Sequence, residues 1–237
     1  MTYRRIVNKI AEILEKAFSM PKSLYISLHY FPFFQAIHLP IVVRYNTKIR
    51  NMSGKVLLNN NLPFKWRGGV KLGFGSVGIF DKSYERSIWE VAGTIQIHGN
   101  VKLGPGSRVS VGSNGILILG DNVVNSAKMT IICTNRITIG ANVTTSWDTL
   151  VMDTDFHHVL DLDTNTVHPK EKPIEIGDNV WLGARCMVLK GSAIPKNCVV
   201  GAMALVNNSF SEPNCLLAGN PAKIKKHNIT MYSLKNE

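Results

Sequence analysis

Cut into sixes from Ile176, the chain reads IGDNVW, LGARCM, VLKGSA, IPKNCV, VGAMAL and VNNSFS, ending at Ser211. An aliphatic residue opens each hexad, glycine often stands second, and asparagine or another small residue falls near the fourth place. Six successive matches mark an internal repeat. A short aliphatic strand ending in a Gly or Asn turn every six residues suits a solenoid in which each hexad forms one flat face and three hexads close a triangular coil. The aliphatic residue points inward and stacks on its equivalents in neighbouring coils, while Gly and Asn tolerate the positive φ that sharp corners demand.

The same grammar runs less regularly through TIQIHGN, VKLGPG, SRVSVG, ILILGDNVV and ITIGANV, so the solenoid is expected to start before residue 100 and to run to about 217. Between Val151 and Ile176 the count fails. These positions stand 25 residues apart, whereas a coil of three hexads takes about 18, so about seven residues are expected to leave the stack as a loop. That excursion opens with MDTDFHHV, Met152 to Val159, which holds two of the seven histidines side by side.

A length of 237 residues, 45% of them hydrophobic and 18% charged, fits one globular domain with appendages and excludes disorder as the main state. The net charge of +11, from 27 Lys and Arg against 16 Asp and Glu, favours acidic partners. No helix-turn-helix, aromatic platform or zinc motif accompanies it, so nucleic acid is not expected. Cys133, Cys186, Cys198 and Cys215 form no CxxC pair and no signal peptide precedes them, which reads as reduced thiols in a cytosolic protein.

Near the start, RRIVNKIAEILEKAF places Ile6, Ile10, Ile13, Leu14 and Ala17 at helical spacing, predicting an amphipathic helix that Pro21 ends. Its basic face has the composition to touch anionic lipid, although a solvated face is the commoner reason for such charges. Residues 24–43 have the length of a membrane span but carry Pro32, Pro40, His29, His38 and Gln35, so a packed or membrane-surface segment is expected instead.

The hexads, together with KPIEIGDNVWLGA (Lys172 to Ala184), AGNPAKIKK (Ala218 to Lys226) and ITIGANVTTSWDTLVMDTDFHH, resemble the hexapeptide-repeat acyltransferases, and among them the galactoside, maltose and bacterial capsule or lipopolysaccharide O-acetyltransferases. The resemblance implies an all-β, left-handed parallel β-helix with a short α-helical N-terminal extension and one protruding loop. The boundaries expected are an extension over 1–54, a β-helix over 55–221 with the excursion at about 152–172, and a tail over 222–237. It also implies acetyl-CoA as donor, a saccharide hydroxyl as acceptor, no metal, and a homotrimer with active sites between subunits; the cysteines point to the cytoplasm and residues 24–43 to its membrane face.

Moving an acetyl group from a thioester to a hydroxyl requires a base for an alcohol that barely ionises, and an imidazole titrating near neutrality suits. His157 falls where relatives carry the catalytic histidine, with His158 as the alternative. Asp153 or Asp155 would orient the imidazole, or else would merely cap the loop. For the donor the resemblance implies Trp181, Gly183, Ala184 and Ala202 along the pantetheine arm, a backbone N–H near the thioester as oxyanion donor, and Lys223 and Lys226 toward the phosphates. Asn207 and Asn208 stand at a corner that often carries Thr-Lys in relatives, which puts that phosphate contact in doubt. For the acceptor it implies Asn125 and Ser126, with Trp147 and Asp148 lining the site.

Competing signals are weaker. GFGSVG, Gly73 to Gly78, matches GxGxxG but lacks a β-α-β context, so turn glycines explain it. The DTD and DLD triplets between Asp153 and Asp163 lack the doubly wound fold of glycosyltransferases. Rival readings are an N-acetyltransferase acting on an amino-sugar nucleotide, a carbonic-anhydrase-like β-helix binding zinc through His157, His158 and His168, and a non-catalytic scaffold.

Overall fold

The structure is a computed structural model describing residues 3–59 and 69–231. Three sheets, of nine, seven and six strands and parallel except for the last strand of the nine, wrap a single core, and each of the first six coils gives one strand to every sheet. The first coil comprises β1 (Ile41–Val43), β2 (Lys48–Asn51) and β3 (Lys55–Leu58), which found sheets A, B and C in that order. Later strands stack on them in register, apart from a shift between Ile49 and Asn51 in β2, as in the column Ile131, Val151, Val188 on sheet B. These inward aliphatics are almost completely buried, so the shared burial that the hexads implied holds the stack together. The fold is the expected left-handed parallel β-helix.

Each corner has its own chemistry. At the corner between sheets C and A, Asn122, Asn142, Asn179 and Asn197 all have φ between 56° and 62°, and their side-chain amides bond one to the next at 3.0, 3.1 and 2.9 Å. Asparagine serves because it accepts the left-handed conformation and carries both a donor and an acceptor. At the corner between sheets B and C, glycines pack directly on backbone. A Cβ at Gly93 would meet the carbonyl oxygens of Gly112 and Gly115 at 2.3 Å, so no larger residue fits there.

The excursion is larger than the residue count predicted. From Ile131 on sheet B to Ile137 on sheet C takes six residues, whereas their partners in the next coil, Val151 and Ile174, are 23 apart, so 17 extra residues leave the coil. The count of seven treated Val151 and Ile176 as equivalent positions, but they belong to adjacent faces.

The N-terminal region departs from expectation in two ways. α1 (Tyr3–Tyr30) runs straight through Pro21 instead of ending there. Its face toward the solenoid is tied down by three serines at four-residue spacing. Ser19 Oγ accepts from Tyr45 N (3.0 Å), Ser23 Oγ accepts from Val43 N (3.0 Å), and Ser27 Oγ donates to Ile41 O (3.2 Å). β1 is the open edge of sheet A, and the serines satisfy backbone groups that a neighbouring strand would otherwise pair. That anchoring outweighs the one helical hydrogen bond Pro21 removes. Glu15 adds an ion pair to the buried Arg44 at 2.7 Å, and Trp89 Nε1 donates to Tyr30 Oη at 3.2 Å.

The second departure concerns boundaries. β1 and β2 lie within residues 1–54, so the stack begins at Ile41, and the first residues of the expected tail, Ala222–Lys226, fold back antiparallel on Leu216–Gly219 as the last strand of sheet A. Residues 24–43 divide between the end of α1, α2 (Phe33–Ala36) and β1; Ile26, Phe31, Ala36, Ile41 and Val43 are buried, whereas Tyr25, Phe33 and Phe34 are exposed. No helix among the described residues is long and apolar enough to cross a membrane.

Candidate active site

The excursion leaves sheet B after Met152 and returns to sheet C at Ile174, folding on itself as an antiparallel hairpin of Val159–Asp161 against Thr166–His168. Its root is fastened to the coil. Lys172 N donates to Asp153 O (3.1 Å), Asp155 N donates to Lys170 O (2.8 Å), and Thr154 bridges Glu171. Phe156 takes φ 62°, a region a bulky side chain enters only when its surroundings impose it. Thr154, itself buried, supplies part of that constraint by accepting from Phe156 N at 2.9 Å. His157 follows directly, exposed and with no hydrogen bond among the described residues. His158 turns toward its own hairpin, its Nδ1 lying 3.4 Å from His168 O.

The two aspartates are occupied elsewhere. Asp153 is fully buried: Oδ1 accepts from Thr134 N (2.8 Å) and Thr134 Oγ1 (3.2 Å), and Oδ2 accepts from Asn135 N (2.9 Å). It caps the turn of the preceding coil at Thr134 and Asn135, not its own loop. Asp155 pairs with Lys190 Nζ at 2.5 Å. No hydrogen bond joins either carboxylate to His157 among the described residues. Lys190 escaped the sequence reading because, as the third residue of VLKGSA, nothing in its hexad sets it apart.

The residues expected to flank the donor fall on two corners. Gly183, Ala184 and Ala202 stack at the corner between sheets A and B, where Met203 N donates to Ala184 O (2.8 Å) and Trp181, 38% exposed, stands at the adjoining strand with Nε1 3.4 Å from Ser146 Oγ. A Cβ at Gly183 would lie 2.6 Å from Ala202 N, so the coils touch there backbone to backbone. Asn207 and Asn208 lie at the corner between sheets B and C, the same corner from which the excursion emerges. Lys223 and Lys226 are exposed on the final strand of sheet A.

Among the expected acceptor residues the structure makes a correction. Asn125 is 1% exposed and points into the solenoid, paired in register with Leu103 and Thr145. Its amide donates to Thr145 Oγ1 (2.7 Å) and Ser146 O (2.8 Å) and accepts from Ser107 Oγ (3.0 Å), leaving no free edge for a sugar. The parity of the strand decides this, since Val123 and Asn125 share the inward face. Ser126 next to it is half-buried. Asp148, at φ 56°, sits between Lys128 (3.4 Å) and Arg185 (3.8 Å) in a charged ladder along its corner, and the half-buried Trp147 accepts from Arg185 N through its carbonyl (2.9 Å).

All four cysteines are free and buried. Burial pushes the Cys186 thiol up to about 12, and it raises Cys133 further, with Asp153 adding to the effect. Glu212, Cys215 and His227 converge within 4.8 Å, with His227 Nδ1 2.6 Å from Glu212 Oε1. None of the loop histidines belongs to that group.

Set beside known proteins, the chain is 32% identical over 145 residues to a putative lipopolysaccharide biosynthesis O-acetyltransferase, WbbJ, of Escherichia coli, covering 57% of this chain and 74% of that one. It is 28% identical over 182 residues to an uncharacterized 24.8 kDa protein in the cps region of Klebsiella pneumoniae, covering 75% and 79%. The solved structure of the polysialic-acid-specific acetyltransferase NeuO superposes with a TM-score of 0.55 at 19% identity, over 82% of this chain and 76% of that one, which bears on fold alone. No family model matches. With the coil register and corner chemistry described above, the chain belongs to the hexapeptide-repeat acyltransferases and is an acetyltransferase, of a class whose donor is acetyl-CoA.

Proposed function

We propose that the protein transfers an acetyl group from acetyl-CoA to a hydroxyl of a saccharide in bacterial surface-polysaccharide assembly, by direct transfer within a ternary complex, with His157 as general base. The observation that carries this reading is the fastened excursion loop. It holds an exposed imidazole, free of partners among the described residues, just after a backbone position that tolerates little movement. The identity to a relative named as a lipopolysaccharide O-acetyltransferase supports the acceptor class.

In the reaction His157 takes the proton of the acceptor hydroxyl as its oxygen attacks the thioester carbonyl. The C–S bond breaks as the tetrahedral intermediate collapses, and the departing thiolate receives the proton back from the imidazolium. His158 is a weaker candidate because it already faces the His168 carbonyl. Ala184 and Ala202 leave room for the pantetheine arm, with Trp181 and Gly183 beside it, a backbone N–H of that corner facing the oxyanion, and Lys223 and Lys226 placed for phosphate.

The loop corner and the Ala184–Ala202 corner of one chain lie on opposite edges of sheet B. A strand-wide face of about 15 Å separates them, so the reading has His157 of one subunit meeting the donor corner of a neighbour. A homotrimer is therefore part of the proposal. Exposed apolar residues on the loop, Phe156, Val159, Leu160, Leu162 and Val167, offer the surface a neighbouring subunit would cover. The place of work is the cytoplasm.

The test is turnover of acetyl-CoA with a panel of polysaccharide, lipid-linked saccharide and nucleotide-sugar acceptors. Acetylation of a hydroxyl in any of them supports the reading, whereas transfer confined to an amino-sugar nucleotide would replace it with N-acetylation.

A further inference from the structure

α1 has its polarity reversed. Around the helix, the side toward the solenoid carries Glu15, Ser19, Lys22, Ser23 and Ser27, with Ile26 its main apolar residue, because those groups serve the open edge of β1. The opposite side is apolar for about five turns. Val7, Ile10, Ile13, Leu14, Phe18 and Tyr25 are 45–69% exposed, and Phe33 and Phe34 of α2, the next helix, are 63% and 78% exposed. An amphipathic helix of a globular protein buries its apolar stripe; this one holds it out to solvent.

The surroundings of that stripe are basic. Residues 1–59 contain nine Lys and Arg against two Glu, a net of +7 out of the chain's +11. Arg44 and Lys22 are engaged internally, but Lys9 and Lys16 on α1 and Lys48, Arg50 and Lys55 on the first coil are exposed. All of this lies at one end of the solenoid, since β1, β2 and β3 form its first coil. The helix is not apolar enough to span a bilayer. An apolar face with exposed aromatics, flanked by cations and too polar behind to insert fully, is the chemistry of a helix lying in the interface plane of an anionic membrane.

We infer that α1 and α2 form a peripheral membrane-docking surface that seats the N-terminal end of the solenoid on an anionic lipid bilayer, with Phe18, Phe33 and Phe34 entering the headgroup boundary. A second copy of the chain is the competing occupant. The excess of basic charge argues against it, because every copy of the chain carries a net charge of +11. This inference stands independently of the acetyl-transfer reading, since it needs no feature of the excursion loop.

The experiment is co-sedimentation of the full chain with vesicles of phosphatidylcholine alone and of phosphatidylcholine with phosphatidylglycerol. Binding is expected only to the anionic vesicles and to weaken as salt rises. The triple variant Phe18→Ser, Phe33→Ser, Phe34→Ser should lose roughly tenfold or more in partition coefficient while keeping its circular dichroism, its oligomeric mass by light scattering and its turnover of water-soluble acceptor. Three results overturn the inference: wild-type protein that stays in the supernatant with anionic vesicles, a variant that binds as well as wild type, or a variant whose oligomeric mass falls, which would make the face a contact between copies.

Discussion

Lys190 Nζ lies 2.5 Å from Asp155 Oδ2 and also donates to Pro169 O at 2.7 Å, so one coil-borne ammonium fastens both limbs of the excursion loop to the solenoid. Asp155 is thereby a positioning residue two places from His157. Lys190→Met should lower kcat several-fold and speed proteolytic cleavage within residues 156–168. Because both side chains are partly exposed, global stability should change by about 1 kcal/mol or less. Limited proteolysis beside steady-state kinetics separates the two effects.

His157→Ala should reduce kcat for acetyl transfer by about 10²- to 10⁴-fold with the melting temperature nearly unchanged, as expected for removing a general base from an exposed site. His158→Ala should retain most activity. The opposite pattern would move the base to His158.

Coenzyme A should raise the melting temperature by linkage. Ala184→Trp fills the space above the corner formed with Gly183 and Ala202, so it should abolish that shift while leaving the unliganded melting temperature close to wild type. Differential scanning fluorimetry at millimolar coenzyme A reads both. A shift that survives the substitution would place the donor elsewhere.

Asp153→Ala removes a buried acceptor of three hydrogen bonds and leaves the N–H groups of Thr134 and Asn135 unpaired. A loss of about 3 kcal/mol in denaturant unfolding is expected. Asn179→Ala breaks two rungs of the asparagine ladder and places alanine at φ 57°, for about 2 kcal/mol, and Asn179→Gly should recover the conformational part of that loss.

The buried thiols give a signed pH dependence. The Cys186 thiol rises from an ordinary 9.0 to about 12 because burial disfavours the thiolate. A raised native pKa contributes stability that is complete below pH 9 and is lost as pH climbs toward 12, because the unfolded chain ionises first. Melting temperatures should fall across that window, and Cys186→Ala should flatten the fall. Below pH 8 the native protein should resist thiol reagents.

The repeat was legible because its cause is local. A hexad that must put one aliphatic inward and turn a corner on Gly or Asn leaves its pattern in every coil, so the solenoid, its approximate span and the position of the excursion all followed from residues 95–217. Strand parity was less legible. Asn125 looks like a polar residue available to a sugar, and only its register against Leu103 and Thr145 turns it into the core.

What the sequence by itself determined is the coil, the loop that breaks its count, and the pair of histidines on that loop. The tertiary structure decided which polar groups are already occupied: Asp153 by the turn of the previous coil, Asp155 by Lys190, Ser19, Ser23 and Ser27 by the edge of β1. Those partners come from other coils or from strands 14 to 35 residues away. No local pattern encodes them, because a hydrogen bond across the stack depends on which corner each residue reaches and not on its neighbours in the chain. The same physics left His157 exposed and sent the apolar face of α1 outward, where periodicity alone would have placed it inside.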